Sequence, residues 1–171
     1  IISIDTWRAG VAQAAVEAGA SMVNDISGGQ FDAKILETVA ALGTPYILMH
    51  IQGTPGTMQQ QPEYEDVLRE VLDFLIAEVA RLRALGVRDI ILDPGFGFGK
   101  TVAHNYTLLK NLHVFEAVTG LPVLAGISRK SMICKVLQVN PDKALNGTTA
   151  LHMVALQQGA RILRVHDVRA A

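Results

Sequence analysis

The chain has little of several features that define other classes of protein. Of its 171 residues one is cysteine, 5% are aromatic, and the formal net charge is −1. One cysteine cannot form a disulfide within the chain, which excludes a small domain held together by disulfides. A nearly neutral charge argues against a broad surface for nucleic acids or anionic membranes. No run of about 18 apolar residues occurs, so we predict no membrane span, and the pattern of a signal peptide is missing as well.

Apolar side chains, in contrast, are abundant. Half of the residues are hydrophobic and 18% are charged, which is enough for a hydrophobic core and excludes intrinsic disorder. We therefore expect residues 1–171 to form one domain. The single cysteine, Cys134, lies within a predicted helix and is compatible with a reduced cytoplasmic setting. The chain begins without Met and directly inside an apparent strand, so we expect that a preceding segment has been removed.

One pattern recurs along the chain: a helical segment ends at glycine, and a short apolar run follows after about two residues. Glycine just past a helix end adopts the left-handed conformation that other residues resist. The runs lack polar alternation, as is typical of parallel strands covered by helices. The glycines are Gly19, Gly43, Gly86, Gly120 and Gly159. The predicted strands are Ile1–Asp5, Met22–Asn24, Tyr46–His50, Ile90–Asp93, Val123–Gly126 and Ile162–His166, and the predicted helices lie near residues 7–18, 31–42, 62–86, 104–119, 129–138 and 142–158.

The longest predicted helix, residues 62–86, has an apolar stripe and a charged opposite face, and Pro62 suits its first turn. Strict alternation of strands and helices leaves two α/β architectures, an open doubly wound sheet or part of an eight-stranded (β/α)₈ barrel. A complete barrel typically needs about 250 residues. A barrel built from this chain would be two strand–helix units short.

Polar residues end each predicted strand. In both architectures ligands bind at the carboxyl ends of parallel strands, because the loops that leave those ends converge. A single Asp or Asn there is often only a helix cap, but polar residues at the end of every strand predict one ligand site. The residues are Asp5, Asn24, His50, Asp93, the segment Ser128-Arg129-Lys130, Arg164 and His166.

These side chains divide into two chemical groups. Two carboxylates and a carboxamide can hydrogen-bond along the edge of a flat, nitrogen-rich ring. The cationic group, Lys130, Arg164 and His166, suits a phosphate or pyrophosphate. Together they predict a ligand in which an aminated heterocycle carries a phosphate group.

The glycine-rich segment 95–101 looks like a nucleotide phosphate loop, but proline occupies the position of the required first glycine. We interpret it as a mobile rim in which Phe96 or Phe98 covers a ligand ring, with Lys100 nearby. The histidines have no paired spacing on one helix, so no zinc site is predicted. His104, His113 and His152 are expected on helix surfaces or in ordinary packing.

Six stretches carry a resemblance to a known family. They are Ser3-Ile-Asp-Thr6, Val23-Asn-Asp-Ile26, Leu48-Met-His-Ile-Gln-Gly53 with Thr57-Met-Gln59, Leu92-Asp-Pro-Gly-Phe-Gly-Phe-Gly-Lys100 with His104-Asn-Tyr106, Gly126-Ile-Ser-Arg-Lys-Ser131, and Arg164-Val-His-Asp167. In order and spacing they resemble the dihydropteroate synthases, pterin-binding barrels. The resemblance implies a (β/α)₈ barrel that lacks, in this chain, its first two strand–helix units and its last helix. It also implies condensation of 6-hydroxymethyl-7,8-dihydropterin diphosphate with p-aminobenzoate, which yields 7,8-dihydropteroate and pyrophosphate.

Matched by position, the resemblance implies a role for each residue. Asp5, Asn24 and Asp93 hold the edge of the pterin ring. Lys130 contacts the pterin and helps to order the p-aminobenzoate side, Arg164 flanks the ring and reaches the anion, and His166 binds the diphosphate. Ser131 receives the p-aminobenzoate carboxylate, Met49 and Phe98 form apolar walls, and His50 stands behind the site.

The resemblance further implies a Mg²⁺ cofactor, a homodimer and a cytoplasmic location. The ligand of Mg²⁺ is expected in a preceding segment, with none in this chain, so we expect the 171 residues alone to be weakly active or inactive.

Three other interpretations remain open. A methyltetrahydrofolate methyltransferase shares the carboxylate–amide grip on a pterin, but it has no diphosphate for the segments 126–131 and 164–167 to hold. The other two interpretations are a non-catalytic pterin-binding fragment and a complete doubly wound domain.

Overall fold

A computed structural model describes residues 1–58, 60 and 62–171; Gln59, part of a stretch quoted above, lies outside the described residues. Over the described part, strands and helices alternate along the chain. The strands are β1 (Ser3–Asp5), β2 (Met22–Asp25), β3 (Tyr46–Met49), β4 (Ile90–Asp93), β5 (Leu124–Ala125) and β6 (Ile162–Leu163). The helices are α1 (Ala9–Glu17), α2 (Ile35–Leu42), α3 (Val67–Ala84), α4 (Val102–Lys110), α5 (His113–Thr119), α6 (Ser131–Leu137) and α7 (Leu145–Gln157), with a 3₁₀ turn at Pro141–Lys143.

The strands are parallel and lie side by side in chain order. β1 to β4 form one sheet and β5 pairs with β6. A bridge between Leu92 and Val123, with the Leu92 amide donating to the Pro122 carbonyl at 2.9 Å, connects β4 to β5. A doubly wound sheet reverses its strand order at a switch point, and no reversal occurs among the described strands. The arrangement is an arc of a (β/α)₈ barrel, which confirms the barrel and rules out the doubly wound alternative.

The core lies between this arc and the helices that cover it. α3 contributes one face, Val67, Val71, Leu75 and Leu82, as its amphipathic pattern predicts. One polar group enters the core from β3: the hydroxyl of fully buried Tyr46 donates to Oδ2 of Asp25 at 2.6 Å. Asp25 also accepts hydrogen bonds from the Ser27 amide and hydroxyl and from the Gly29 amide, which compensates for its burial.

The recurrent glycines end helices as predicted. All five have positive φ, between 60° and 108°, which only glycine adopts without strain. Because each glycine turns the chain within two or three residues, the next strand starts close to the helix end. Successive strands have the same direction because a connecting segment with a helix runs back between each strand and the next.

Several predicted element bounds are wrong for local reasons. Helix α3 begins at Val67, five residues after Pro62, because the Asp66 side chain accepts from the Leu68 and Arg69 amides and caps the helix there. The single helix expected over residues 104–119 is two helices. Asn111, whose side chain donates to the Thr107 carbonyl at 2.8 Å, ends the first of them.

The strands near the site are shorter than predicted. β6 ends at Leu163, so Arg164 and His166 lie in the loop beyond it. α6 begins only at Ser131, because Arg129 has a left-handed backbone (φ 54°) and Lys130 is extended.

Among the described residues no helix is both long enough and apolar enough to cross a membrane.

Candidate functional site

The predicted site residues lie at one end of the arc. Asp5, Asn24, Met49 and Asp93 are at the carboxyl ends of β1 to β4, where Asp5 is opposite Asn24 and Met49 opposite Asp93 in register. Lys130 and Ser131 follow β5, and Arg164 and His166 follow β6. Parallel pairing in chain order places these ends together, as the sequence predicted.

Asp93 and Lys130 flank Gly126 at the centre of this rim. The Asp93 side chain is buried, and its Oδ1 accepts a hydrogen bond from the Gly95 amide at 2.8 Å. A β-carbon at Gly126 would lie 3.7 Å from Oδ2 of Asp93 and 3.8 Å from Nζ of Lys130. The absence of a side chain at Gly126 therefore leaves space between a carboxylate oxygen and an ammonium group.

The ionisation of Asp93 and Lys130 is coupled. Burial raises the pKa of Asp93, while Lys130, the Gly95 amide, Lys100 and Arg164 lower it. Burial lowers the pKa of Lys130 to about 8, against the attraction of Asp93. At neutral pH Lys130 is mostly protonated, and its charge favours the carboxylate form of Asp93.

Phe98, and not Phe96, faces the site. Lys130 donates to the Phe96 carbonyl, and its ammonium lies 4.8 Å from the centroid of the Phe98 ring. The half-buried Phe98 ring can therefore form a wall beside Lys130. The expectation that Phe96 could cover a ligand is wrong, because its side chain is fully buried in the core.

The glycine-rich segment, expected to be a mobile rim, is held by hydrogen bonds at several points. The Gly97 amide donates to Oδ1 of buried Asn105 at 2.7 Å. The Gly95 backbone, at φ 71°, approaches the chain after β3 so closely that a β-carbon there would lie 1.8 Å from the His50 carbonyl oxygen. Glycine is required at this contact, and the segment serves close packing, not a nucleotide phosphate.

The cationic part of the rim surrounds a cavity of about 130 Å³ lined by Gly126, Ser128, Lys130, Arg164, Val165 and His166. Oγ of Ser128 accepts from the His166 amide at 3.2 Å and lies 2.9 Å from Nδ1 of the ring. The Ser128 hydroxyl can donate to Nδ1 when the ring proton is on Nε2, and it can accept from Nδ1–H in the other tautomer. Arg164 donates to Oδ2 of Asp5 at 3.0 Å.

A larger cavity, about 720 Å³, lies between the start of α3 and the start of α4, away from these groups.

The remaining predicted residues frame the rim. Asn24 and Met49 are buried, 7% and 2% exposed, between Asp5 and Asp93 along the sheet. Ser131 is exposed at the first residue of α6. His50 is buried, and its Nδ1 lies 2.9 Å from Nζ of Lys100.

Sequence reasoning missed two pairs of residues behind the rim. Arg129 binds Asp167 through two hydrogen bonds, one of them 2.8 Å long, and connects the loop after β5 to the loop after β6. The second pair is His50 with Lys100. Both pairs lie inside the motifs quoted above, so their positions were visible in the sequence, but their partners were not.

Among residues 1–58, 60 and 62–171 no group of three or more His, Cys, Asp or Glu side chains is placed to hold a metal ion. The groups around the small cavity are mainly cationic, which suits an anion and not Mg²⁺. The described residues therefore do not fit a magnesium site of their own.

A protein-family model for pterin binding enzymes matches residues 1–166. The chain belongs to the pterin-binding enzyme family. Its relatives in this family include the dihydropteroate synthase of Escherichia coli K12, 45% identical over 170 residues, which are 98% of this chain and 60% of that protein. The chain thus spans about 60% of the length of this relative.

Solved structures of pterin-binding enzymes show the same fold. The crystal structure of dihydropteroate synthase from Stenotrophomonas maltophilia, with imidazole bound in its active site, superimposes with a TM-score of 0.94 at 45% identity over 99% of this chain and 64% of that one. The enzyme from Xanthomonas albilineans in complex with 7,8-dihydropteroate has a TM-score of 0.89 at 40% identity, covering 98% of this chain and 62% of that one.

Proposed function

We propose that the complete protein is a dihydropteroate synthase of folate biosynthesis. It would join 6-hydroxymethyl-7,8-dihydropterin diphosphate to p-aminobenzoate and release pyrophosphate. The observation that supports this most is the position of Gly126, which lies between Asp93 and Lys130 and also lines the small cavity beside Arg164 and His166. It offers a carboxylate for an aminated ring beside cations for a diphosphate. We also propose that residues 1–171 form a single pterin-binding domain.

The pterin edge is assigned to the carboxylate side of the rim. Oδ2 of Asp93 is turned toward Gly126, and Oδ1 keeps a second lone pair after accepting from the Gly95 amide. The two oxygens can therefore accept from the paired N–H groups of the ring. Asn24 and Asp5 extend this edge along the neighbouring strands. Phe98 and Met49 supply the apolar walls.

The diphosphate is assigned to Arg164 and His166. In the reaction the C–O bond between the pterin methylene and the diphosphate breaks, and the electron pair leaves with pyrophosphate. Arg164 and the Nε2–H of His166 would stabilise the negative charge that develops there. The described residues supply no magnesium site of their own, so this chain's share of the charge stabilisation rests on the Arg164 cation and the N–H donor of His166.

The p-aminobenzoate is assigned to the side of Lys130 and Ser131. Its amine attacks the methylene, forms the C–N bond and then loses a proton to water. An arylamine is unprotonated at pH 7, so no general base is required. Ser131, exposed at the start of α6, would contact the carboxylate.

A homodimer and a cytoplasmic location complete the proposal. Large apolar side chains are exposed on α6 and α7, including Val136, Met153 and Leu156 at 57%, 58% and 47%. Apolar groups on neighbouring helices are typical of surfaces that a second copy covers.

The test is p-aminobenzoate-dependent release of pyrophosphate by the complete protein with the pterin diphosphate. Asp93→Asn and Lys130→Ala should each abolish most of the turnover, whereas Lys110→Ala, at an exposed lysine of α4, should leave it unchanged. Folded wild type that binds pterin and releases no pyrophosphate would contradict the proposal. If the protein then transferred a methyl group from methyltetrahydrofolate, it would be a methyltransferase. If it only bound the pterin, it would be a non-catalytic binding protein.

A further inference from the structure

Lys100 places a buried ammonium group behind the pterin-facing rim. The side chain is 3% exposed, and its Nζ donates to the carbonyls of Gly95 and Phe98, both at 3.0 Å, and approaches Nδ1 of His50 at 2.9 Å. Each of these partners can accept a hydrogen bond, so together they match the three N–H groups of a protonated lysine. Without that proton the amine could still donate to both carbonyls, but it would then have to accept from Nδ1–H of His50.

The ammonium lies where two loops meet. His50 belongs to the chain after β3, and the two carbonyls belong to the glycine-rich segment after β4. The loops also touch through their backbones, since a β-carbon on Gly99 would lie 2.4 Å from the Gln52 carbonyl oxygen. The segment that Lys100 holds contains Gly95, whose amide orients Asp93, and Phe96, whose carbonyl accepts from Lys130.

We propose that Lys100 is a positioning residue for Asp93: its buried amine, bonded to His50, Gly95 and Phe98, holds the loop whose Gly95 amide orients this carboxylate. Lys100 is too deeply buried to contact a ligand on the rim, and it acts through its neighbours. This inference rests on the proposed function only for its effect on catalysis, because the ionisation of Asp93 is a property of the protein without ligand.

The electrostatics of the surroundings agree with this geometry. Burial of Asp93 favours its neutral form, and Lys100 is one of the cations that counteract this by lowering the pKa. Burial lowers the pKa of Lys100 to about 7, and Asp93 raises it. The pKa of His50 is lowered to about 3 by burial and by Lys100, so His50 stays neutral and can accept. The titratable groups around Lys100 are His50 at the end of β3, Tyr64 before α3, Asp93 on β4, His104 on α4 and Lys130 after β5.

The experiment compares Lys100→Met and Lys100→Gln with the matched control Lys110→Met in the complete protein. The first readout is the ¹³Cγ shift of Asp93 between pH 4 and 8 without ligand. The second is the pH profile of kcat/KM for pyrophosphate release. Unfolding curves establish that each variant is folded. Lys100→Gln retains hydrogen-bond donors without the charge, so it decides the question if Lys100→Met does not fold.

Both Lys100 variants should raise the titration midpoint of Asp93 by about one pH unit. The acid limb of kcat/KM should move up by the same amount, while Lys110→Met changes neither. A purely structural role would instead lower activity equally at every pH. An Asp93 midpoint equal to that of the control would overturn the inference. Wild type without pyrophosphate release would contradict the proposed function only, because the ¹³C titration still tests Lys100.

Discussion

Arg164 donates a hydrogen bond to Asp5 at 3.0 Å, although 159 residues separate them in the chain. The contact joins the loop after the last strand of the arc to the end of the first. Both side chains are about half exposed, at 58% and 47%, so the ion pair contributes little to stability. Its two groups are assigned to opposite parts of the ligand, the pterin edge and the diphosphate. A bound substrate would therefore replace their contact with each other.

Arg164→Lys should weaken binding of the pterin diphosphate without unfolding the protein. Lysine cannot make the paired hydrogen bonds of a guanidinium to an anion, so we expect KM for the diphosphate to rise about tenfold, equivalent to about 1.4 kcal/mol of binding. The free energy of unfolding should change by less than about 1 kcal/mol. Arg161→Lys, at an exposed arginine paired with Glu116, is the matched control. An unchanged KM in Arg164→Lys would remove Arg164 from the diphosphate site.

Gly126→Ala should fold normally and bind ligand poorly. The added methyl meets Asp93 and Lys130 at 3.7 and 3.8 Å, which are ordinary contact distances, and Gly126 has no positive φ. The methyl would, however, occupy the space assigned to the pterin. We expect an unchanged melting temperature and a weaker Kd for 7,8-dihydropteroate, measured by calorimetry. Unaltered affinity would place the ligand elsewhere on the rim.

Tyr46→Phe should destabilise the protein by about 1.5 to 3 kcal/mol, since it removes a buried hydrogen bond to a carboxylate. Burial and Asp25 raise the pKa of Tyr46 well above its usual value, so the hydroxyl remains a donor at neutral pH. Urea unfolding measures the change. Tyr106→Phe is the comparison, because that hydroxyl makes a longer, partly exposed bond of 3.3 Å to the Met132 carbonyl. Equal losses in the two variants would contradict the special role of Asp25.

His152→Leu should leave stability at pH 7.5 unchanged or higher. Within the described residues both ring nitrogens of buried His152 lack a hydrogen-bond partner, and an unsatisfied polar group opposes folding. Burial lowers its pKa below the ordinary 6.5, so the unfolded chain binds the proton more tightly. Stability from this group is therefore lost as the pH falls below about 6.5.

Unfolding of wild type and His152→Leu at pH 7.5 and 5.5 tests this prediction. The variant should lose less stability between the two values than wild type does. His113→Leu, at an exposed histidine beside Gln158, is the matched control. Parallel pH dependence in wild type and His152→Leu would show that His152 does not titrate on unfolding.

The placement of the candidate site residues at one end of the sheet could be predicted because strand ends are local features. Asp93 follows a short apolar run and precedes proline and glycine, so the sequence predicts that it lies at the carboxyl end of a strand. Phe96 and Phe98 show the limit of this reasoning. They are two residues apart in the same motif, yet one is fully buried and the other lies against Lys130. Their difference depends on how the loop folds over α4 and the sheet, which no local pattern encodes.

The sequence by itself determined the alternation of strands and helices, the glycine caps and the polar strand ends, because these depend on residues a few positions apart. Only the tertiary structure decided that the strands follow one another in an arc without a reversal. It also decided which buried groups are paired. Lys100 and His50 are 50 residues apart, and Tyr46 and Asp25 are 21 residues apart. Such contacts arise when packing brings distant segments together, because buried charges and polar groups must find partners that the neighbouring sequence does not provide.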